Sequence, residues 1–247
     1  MAVRVARLKY AHNDPIFFYA KGLEVISAGN LEAPRLLAEG KVDLAFVPIT
    51  LAAELGLPVV PRLAVYSMGP IISARIFRGR GASGYAAVND TTVNARAAAY
   101  LLGVSFRRVE DVERALDEYA GVLVIGDDAL RLVDRGVPYE VDVGELWQER
   151  VGAPLVYAML AARPGLAMSA VERAVEELEN SLSAFYENPE PVVKRTAARL
   201  GIRELLVAEY FARVKYFVNS EVLRGLELEV DLLGLPSLRP LPYQPWS

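Results

Sequence analysis

Cysteine is absent from this 247-residue chain, and histidine occurs once, at position 12. The first absence excludes disulfides, thiolate nucleophiles, cysteine-ligated iron–sulfur clusters and anchoring through a lipidated N-terminal cysteine. Together the two leave no ligand set for a closed zinc site, which draws on several cysteines and histidines. No clear carboxylate cluster marks a magnesium site either, so neither a metal nor a cofactor is expected. An excess of positive charge is also missing: 27 Lys and Arg face 31 Asp and Glu, for a net charge of -4. Acids and bases are interspersed, without the basic stripe or polybasic patch that a nucleic acid or a membrane surface would select. No apolar run approaches the roughly 18 residues of a membrane span, and Arg163 interrupts the longest candidate. The N-terminal MAVRVARLKYAHNDP interleaves Arg4, Arg7 and Lys9 with apolar residues, and no apolar region followed by a cleavage site is visible there. It reads as a strand, and the protein is expected to be cytoplasmic, without nucleic acid or membrane as partner.

What is present is apolar material: 53% of the residues are hydrophobic. That is enough for one large domain or two lobes of roughly 80 to 160 residues each. Residues 3–10 alternate as a strand, and Asp14-Pro15 opens a helix, with Pro15 where a missing N–H costs little. A short strand at 23–27 follows; then Asn30 is placed to cap a helix at 31–39, which Gly40 ends before an apolar strand at 42–47. This is a β-α-β unit, whose crossover makes the first and third strands parallel and puts the turns at 12–14 and 48–50 on one sheet edge. Residues 70–78 read as a long strand. Gly79-Arg80-Gly81-Ala82-Ser83-Gly84 reads as a flexible linker, after which strand and helix alternate again.

Residues 121–125 are apolar and β-branched, of a length suited to a buried strand, and Gly126-Asp127-Asp128 follows with residue types that cap helices. A ligand pocket commonly opens where such a strand ends. Residues 155–163 return toward the first lobe. From 167 onward the pattern is helical, with Val171, Val175, Leu178, Leu182 and Phe185 on one face. The expected architecture is α/β and two-lobed, like the type II periplasmic binding proteins, with a ligand cleft between lobes. The first lobe is assigned residues 1–79 and 166–247, and the second 80–165. The glycine-rich turns at 79–84 and 163–165 are the expected hinges, or else ordinary surface turns.

Three turns carry candidate chemistry. Asn89-Asp90-Thr91-Thr92 lies between a strand and a helix N-terminus, where free N–H groups and the hydroxyls of Thr91 and Thr92 converge on an anion such as a carboxylate. Helix capping is the alternative use of the same residues. Ser67-Met68-Gly69-Pro70 is a second polar corner: Gly69 permits close backbone approach, and Ser67 donates to an oxygen, though a plain turn needs neither. His12-Asn13-Asp14 places the one imidazole beside an amide and a carboxylate, as a general acid or base or as a structural histidine. Asp127, with Asp128, holds a ligand hydroxyl or a metal, or else caps its helix, which is the favoured reading. Phe17, Phe18, Tyr19 and Trp147 read as packing residues.

Several segments together resemble one family. GDDAL (126–130), DVGELWQERVGAPLVYA (142–158), EAPRLLAEGKVDLAFVPI (32–49), YSMGPIISARIF (66–77) and the C-terminal ARVKYFVNSEVLRGLELEVDLLGL (212–235) are similar to chorismate dehydratases and dihydroxynaphthoate synthases of the futalosine route to menaquinone. The first turn resembles both branches. YAHNDP keeps the tyrosine and proline of the dehydratases with His12 at their asparagine, whereas HNDPIFFYA aligns Asn13 and Asp14 with the synthases. Gly126-Asp127-Asp128 stands where synthases carry a histidine base, which favours the dehydratase. The resemblance implies a hydro-lyase converting chorismate to 3-[(1-carboxyvinyl)oxy]benzoate, a small dicarboxylate substrate and no cofactor. It implies Thr91, Thr92 and Ser67 at the carboxylates, Gly69 and Asp127 in substrate binding, and His12 with Asn13 at the leaving hydroxyl. The alternatives are 1,4-dihydroxy-6-naphthoate synthase and a non-enzymatic binding protein for a small carboxylate.

Overall fold

A computed structural model describes residues 2–88, 90–244 and 246. The chain opens with β1 (Val3–Leu8), a single 3-10 turn at Ala11–Asn13, α1 (Asp14–Phe17), β2 (Leu23–Ala28), α2 (Glu32–Ala38), β3 (Leu44–Pro48), α3 (Ile49–Glu54) and β4 (Pro58–Ser67). A second unit comprises β5 (Ala74–Arg78), β6 (Tyr85–Val88), α4 (Val93–Leu102), β7 (Phe106–Val109), α5 (Val112–Glu118), β8 (Gly121–Ile125), α6 (Gly126–Asp134), β9 (Tyr139–Asp142) and α7 (Val143–Val151). The chain then returns through β10 (Leu155–Ala162) to α8 (Met168–Glu187), α9 (Glu190–Leu200), α10 (Glu204–Arg213), β11 (Lys215–Phe217), α11 (Ser220–Leu232) and β12 (Arg239–Pro240).

Two sheets result, one ordered β11-β4-β10-β3-β1-β2 with β12 on β4, the other β7-β6-β8-β5-β9. β1 runs parallel to both β2 and β3, with Val5 opposite Leu44, as the β-α-β reading requires. All five residues of β3 are buried, and such a strand gains roughly 1.5–3 kcal/mol per large apolar side chain removed from water. Asp43, just before β3, accepts from Arg4 at 3.1 Å and from Arg163 at 3.0 Å, tying the start of β1 to the end of β10. Partial burial works to raise its pKa, but the bonds from Arg4 and Arg163 prevail and hold the carboxyl at about 2.

The sheets divide the chain differently from the expected boundaries at 79/80 and 165/166. β5 belongs to the second sheet and β10 to the first, so the chain crosses at residues 68–73 and 152–154. The expected strand over 70–78 begins only at Ala74, because the buried Asp142 carboxylate takes the N–H groups of Ile71 (3.0 Å) and Ile72 (2.8 Å) out of any ladder. Ile72 lies at φ +67, a strained conformation for a β-branched residue. The loop at 79–84 stays within the second lobe, where Gly79 and Gly81 donate to the carbonyls of Ala120 and Tyr119. A Cβ on Gly79 would lie 1.9 Å from the Tyr119 carbonyl, so close packing, not hinge freedom, accounts for this glycine. The five apolar residues predicted on one face of α8 are all buried. The C-terminal helices touch both units: Arg203 beside α10 pairs with Asp134 of α6 at 2.7 Å.

Candidate functional site

A cavity of about 50 Å³ lies where the two sheets' carboxyl edges meet. Its polar wall comprises Tyr10, His12, Asn30, Ser73, Thr92, Asn94, Tyr157 and Tyr210. No lysine, arginine, aspartate or glutamate is among the described residues that line it.

His12 enters from the turn after β1, its ring 5.7 Å from that of Tyr10. The Nε2 atom is shut away from water and has no hydrogen-bond partner. Burial lowers the imidazole pKa from 6.5 to about 4; the Asp14 carboxylate opposes this and Arg7 adds to it. The ring is therefore neutral near pH 7. Its neighbours in sequence build the turn instead of the cavity wall. Asn13 is fully buried, and its Oδ1 accepts from the Leu8 N–H at 2.8 Å, closing the end of β1. Asp14 accepts from Arg7 at 2.5 Å, from Thr196 at 2.8 Å and from Arg199 at 2.9 Å. Burial works against that carboxylate, yet the two guanidinium groups bring its pKa below the ordinary value.

Across the cleft, Thr92 stands at the N-terminus of α4 without capping it through its side chain. The unsatisfied N–H groups of that first turn are suited to an anionic oxygen. Asn94, one residue into the helix, is 8% exposed and also lines the cavity. Thr91 does not: its hydroxyl donates to the Val88 carbonyl at 2.6 Å, and its own carbonyl accepts from Arg108 at 2.7 Å. Asn89 falls outside the described residues. Asp90 joins the lobes, accepting from the Tyr10 hydroxyl at 2.5 Å through its carboxylate and from Asn30 at 2.8 Å through its carbonyl. Asn30 therefore spans the cleft and does not cap α2, whose N-cap position is Leu31. Burial and the Asp90 bond both raise the Tyr10 pKa, so the phenol keeps its proton.

The remaining predicted residues support the wall from behind. Ser67 is buried and shares a 2.7 Å hydrogen bond with the Tyr157 hydroxyl, so it reaches the cavity only through that ring. Gly69, at φ +139, turns the chain so that its carbonyl meets Gly144, where an added Cβ would come within 2.4 Å. Asp127 neither lines the cavity nor caps α6: its Oδ1 accepts from the Ala11 N–H at 2.8 Å and its Oδ2 from Arg199 at 2.7 Å. Thus His12 and Thr92 come together at the cavity, while Asn13, Ser67, Gly69, Thr91 and Asp127 stand one layer out. Phe17 packs edge-on to Phe46, and neither it, Phe18 nor Tyr19 lines the space.

Sequence reasoning missed Tyr10, Asn30, Ser73, Asn94, Tyr157 and Tyr210 as wall residues. Two of them carried a signal. Ser73 closes the same YSMGPIIS segment as Ser67, and Asn94 is a lone amide in the first turn of an alanine-rich helix. Tyr157 and Tyr210 carried none, because only the tertiary structure brings them to this edge. The wall's chemistry is that of neutral dipoles. It offers an uncharged imidazole, amides, hydroxyls, and the phenols of Tyr157 and Tyr210, whose pKa values burial raises. Such groups bind oxygen atoms by direction. Among the described residues no group of three or more His, Asp or Glu is close enough to hold a metal, and no helix is long and apolar enough to cross a membrane.

In overall structure the chain is similar to proteins of the periplasmic-binding-protein fold. Protein AF1704 from Archaeoglobus fulgidus superposes with a TM-score of 0.73 at 18% identity, over 94% of this chain and 95% of that one. A Candida albicans gene product described as having the generic periplasmic binding protein fold gives 0.70 at 12% identity, over 95% and 90%. The alkanesulfonate-binding protein of Xanthomonas axonopodis pv. citri, bound to MOPS, gives 0.69 at 12% identity, over 94% and 92%. These likenesses show the two-lobed α/β fold that the sequence predicts. No curated protein matches the chain in sequence. A family model described as menaquinone biosynthesis, however, matches residues 3–233, and the chain belongs to that family.

Proposed function

We propose that this chain is a hydro-lyase of menaquinone biosynthesis that dehydrates chorismate to 3-[(1-carboxyvinyl)oxy]benzoate. One observation carries the reading: an interlobe cavity walled by neutral dipoles, with His12 on one side and the N-terminus of α4 on the other. The reaction breaks the C3–H bond, whose electron pair becomes a ring double bond as the C4–O bond breaks, and water leaves. Aromatisation supplies the driving force, so positioning and exclusion of water serve better than a strong acid or base. Thr92 and the first turn of α4 hold a carboxylate of the dianion, and His12, as a neutral imidazole, polarises the leaving hydroxyl. A carboxylate of the substrate itself takes the C3 proton. Ser67 acts on the substrate only by positioning Tyr157.

Turnover of chorismate by the purified protein, with mass detection of the aromatic product, tests this. Losing one transition-state hydrogen bond costs about 10²- to 10³-fold, so His12→Ala and Thr92→Val are each expected to slow turnover by that order. Full activity in both variants would sink the assignment. A second reading rests on the likeness to a MOPS-bound alkanesulfonate-binding protein: the cleft holds a small anion without converting it. Binding of chorismate with no aromatic product would favour that reading. Turnover of cyclic dehypoxanthine futalosine instead would favour the naphthoate synthase.

A further inference from the structure

We infer that Asn94 is the residue that selects for the leaving hydroxyl, receiving it jointly with His12 across the cleft. The inference deepens the proposed chorismate reading and rests on it. Three observations converge. The Asn94 side chain is more than nine-tenths buried, lines the cavity, and has an amide oxygen without a hydrogen-bond partner. From the other lobe, His12 lines the same cavity, and its Nε2 atom is unpartnered too. Buried polar atoms left unpaired are rare and costly, and two of them on residues that line one small cavity mark a place for a polar group of the ligand.

The chemistry of that group follows from what the wall lacks. With no cationic side chain among the described residues that line the cavity, an amide oxygen facing a dianion would repel a carboxylate and attract an O–H donor. Chorismate as a dianion carries one O–H, at C4. A hydroxyl can donate to the Asn94 Oδ1 while accepting from a protonated ring nitrogen of the neutral His12, so one group satisfies both orphans. The leaving oxygen is then gripped by one residue from each lobe, and its activation is tied to closure of the cleft. Thr92 and the N–H groups of α4 remain for a carboxylate.

The product makes the control, since it keeps both carboxylates and lacks the hydroxyl. Asn94→Leu replaces the amide with an apolar group of similar shape, and Asn94→Ala removes it without bulk, which keeps the test alive if leucine disturbs α4. For wild type and both variants, kcat/KM on chorismate and the calorimetric Kd for product are measured. Expected is a fall of about 10²-fold in kcat/KM, the order seen when one transition-state hydrogen bond is lost, with product affinity within about twofold of wild type. The preserved product affinity also reports that the variants fold. An active wild type with equally active variants overturns the inference alone. Equal losses on chorismate and product also overturn it, because the amide then serves a carboxylate through its NH₂. A wild type that forms no product from chorismate overturns the functional reading and this inference with it.

Discussion

His12 and Glu229 are both titratable groups that the fold withdraws from water, the first in part and the second wholly, and burial drives each toward its uncharged form, with opposite consequences for stability. For His12 the folded pKa is about 4 against an ordinary 6.5. Its contribution to stability is therefore complete above pH 6.5 and is lost as pH falls from there toward 4, when the unfolded chain takes up a proton that the native state refuses. The same shift makes an activity prediction: kcat/KM on chorismate runs flat from about pH 5.5 to 8, because imidazole already neutral cannot titrate there. An inflection near 6.5 that disappears in His12→Asn would contradict it. Glu229 of α11 is wholly buried, with Oε2 accepting from the Val156 N–H at 2.8 Å and Oε1 unpartnered. Burial raises its pKa well above 4.5, and the Val156 bond only partly offsets this. Above pH 4.5 the unfolded chain releases that proton and the folded one does not, so stability declines as pH rises. Glu229→Gln keeps an acceptor for Val156 and removes the proton cost. Thermal unfolding is expected to show the variant more stable than wild type at pH 8, with the gap closing toward pH 4.5; a gap independent of pH would refute the argument.

Between elements, the α6 N-terminus is one fastening of one lobe to the other. Asp127 holds the Ala11 N–H, and Arg199 of α9 bridges Asp127 and Asp14. Hydrogen bonds to charged groups are each worth roughly 1.5–3 kcal/mol. Arg199→Ala is thus expected to raise KM about tenfold or more and change kcat less, since the loss falls on closure and not on groups touching the substrate. Steady-state kinetics showing the reverse split would count against the fastening. Gly126, at φ +63, has its missing Cβ position 2.6 Å from the Tyr10 ring, and its N–H donates to the Ser73 carbonyl at 2.7 Å. Gly126→Ala should therefore push Tyr10 out of the cavity wall and weaken substrate binding. Strand and helix positions in this region were legible from apolar runs and glycine ends, because those signals act over a few residues. The roles of Asn30 and Asp127 were not. Each has the residue type of a helix cap, and each instead finds a partner in the other lobe, 60 and 116 residues away.

For the molecule as a whole, the cavity of about 50 Å³ is far below the roughly 300–1,000 Å³ typical of ligand pockets. Binding a dicarboxylate therefore requires the lobes to separate about the crossings at 68–73 and 152–154. Because the chain contains no cysteine, single cysteines placed at exposed Glu39 and Arg107 can be spin-labelled without interference. The interlobe distance distribution is expected to be broad in the free protein and to narrow with chorismate; one narrow distribution unchanged by ligand would argue for a rigid cleft. The sequence alone determined the succession of strands and helices, the parallel β1–β3 pairing, the two-lobed class and the resemblance to its family, because hydrophobic period, turn residues and motif wording are local. Only the tertiary structure decided where the chain changes sheet and which polar groups face the cavity. Ser67 finds Tyr157, Thr91 finds Arg108 and Asp127 finds Arg199, and a polar atom satisfied by a distant partner is no longer available to a ligand.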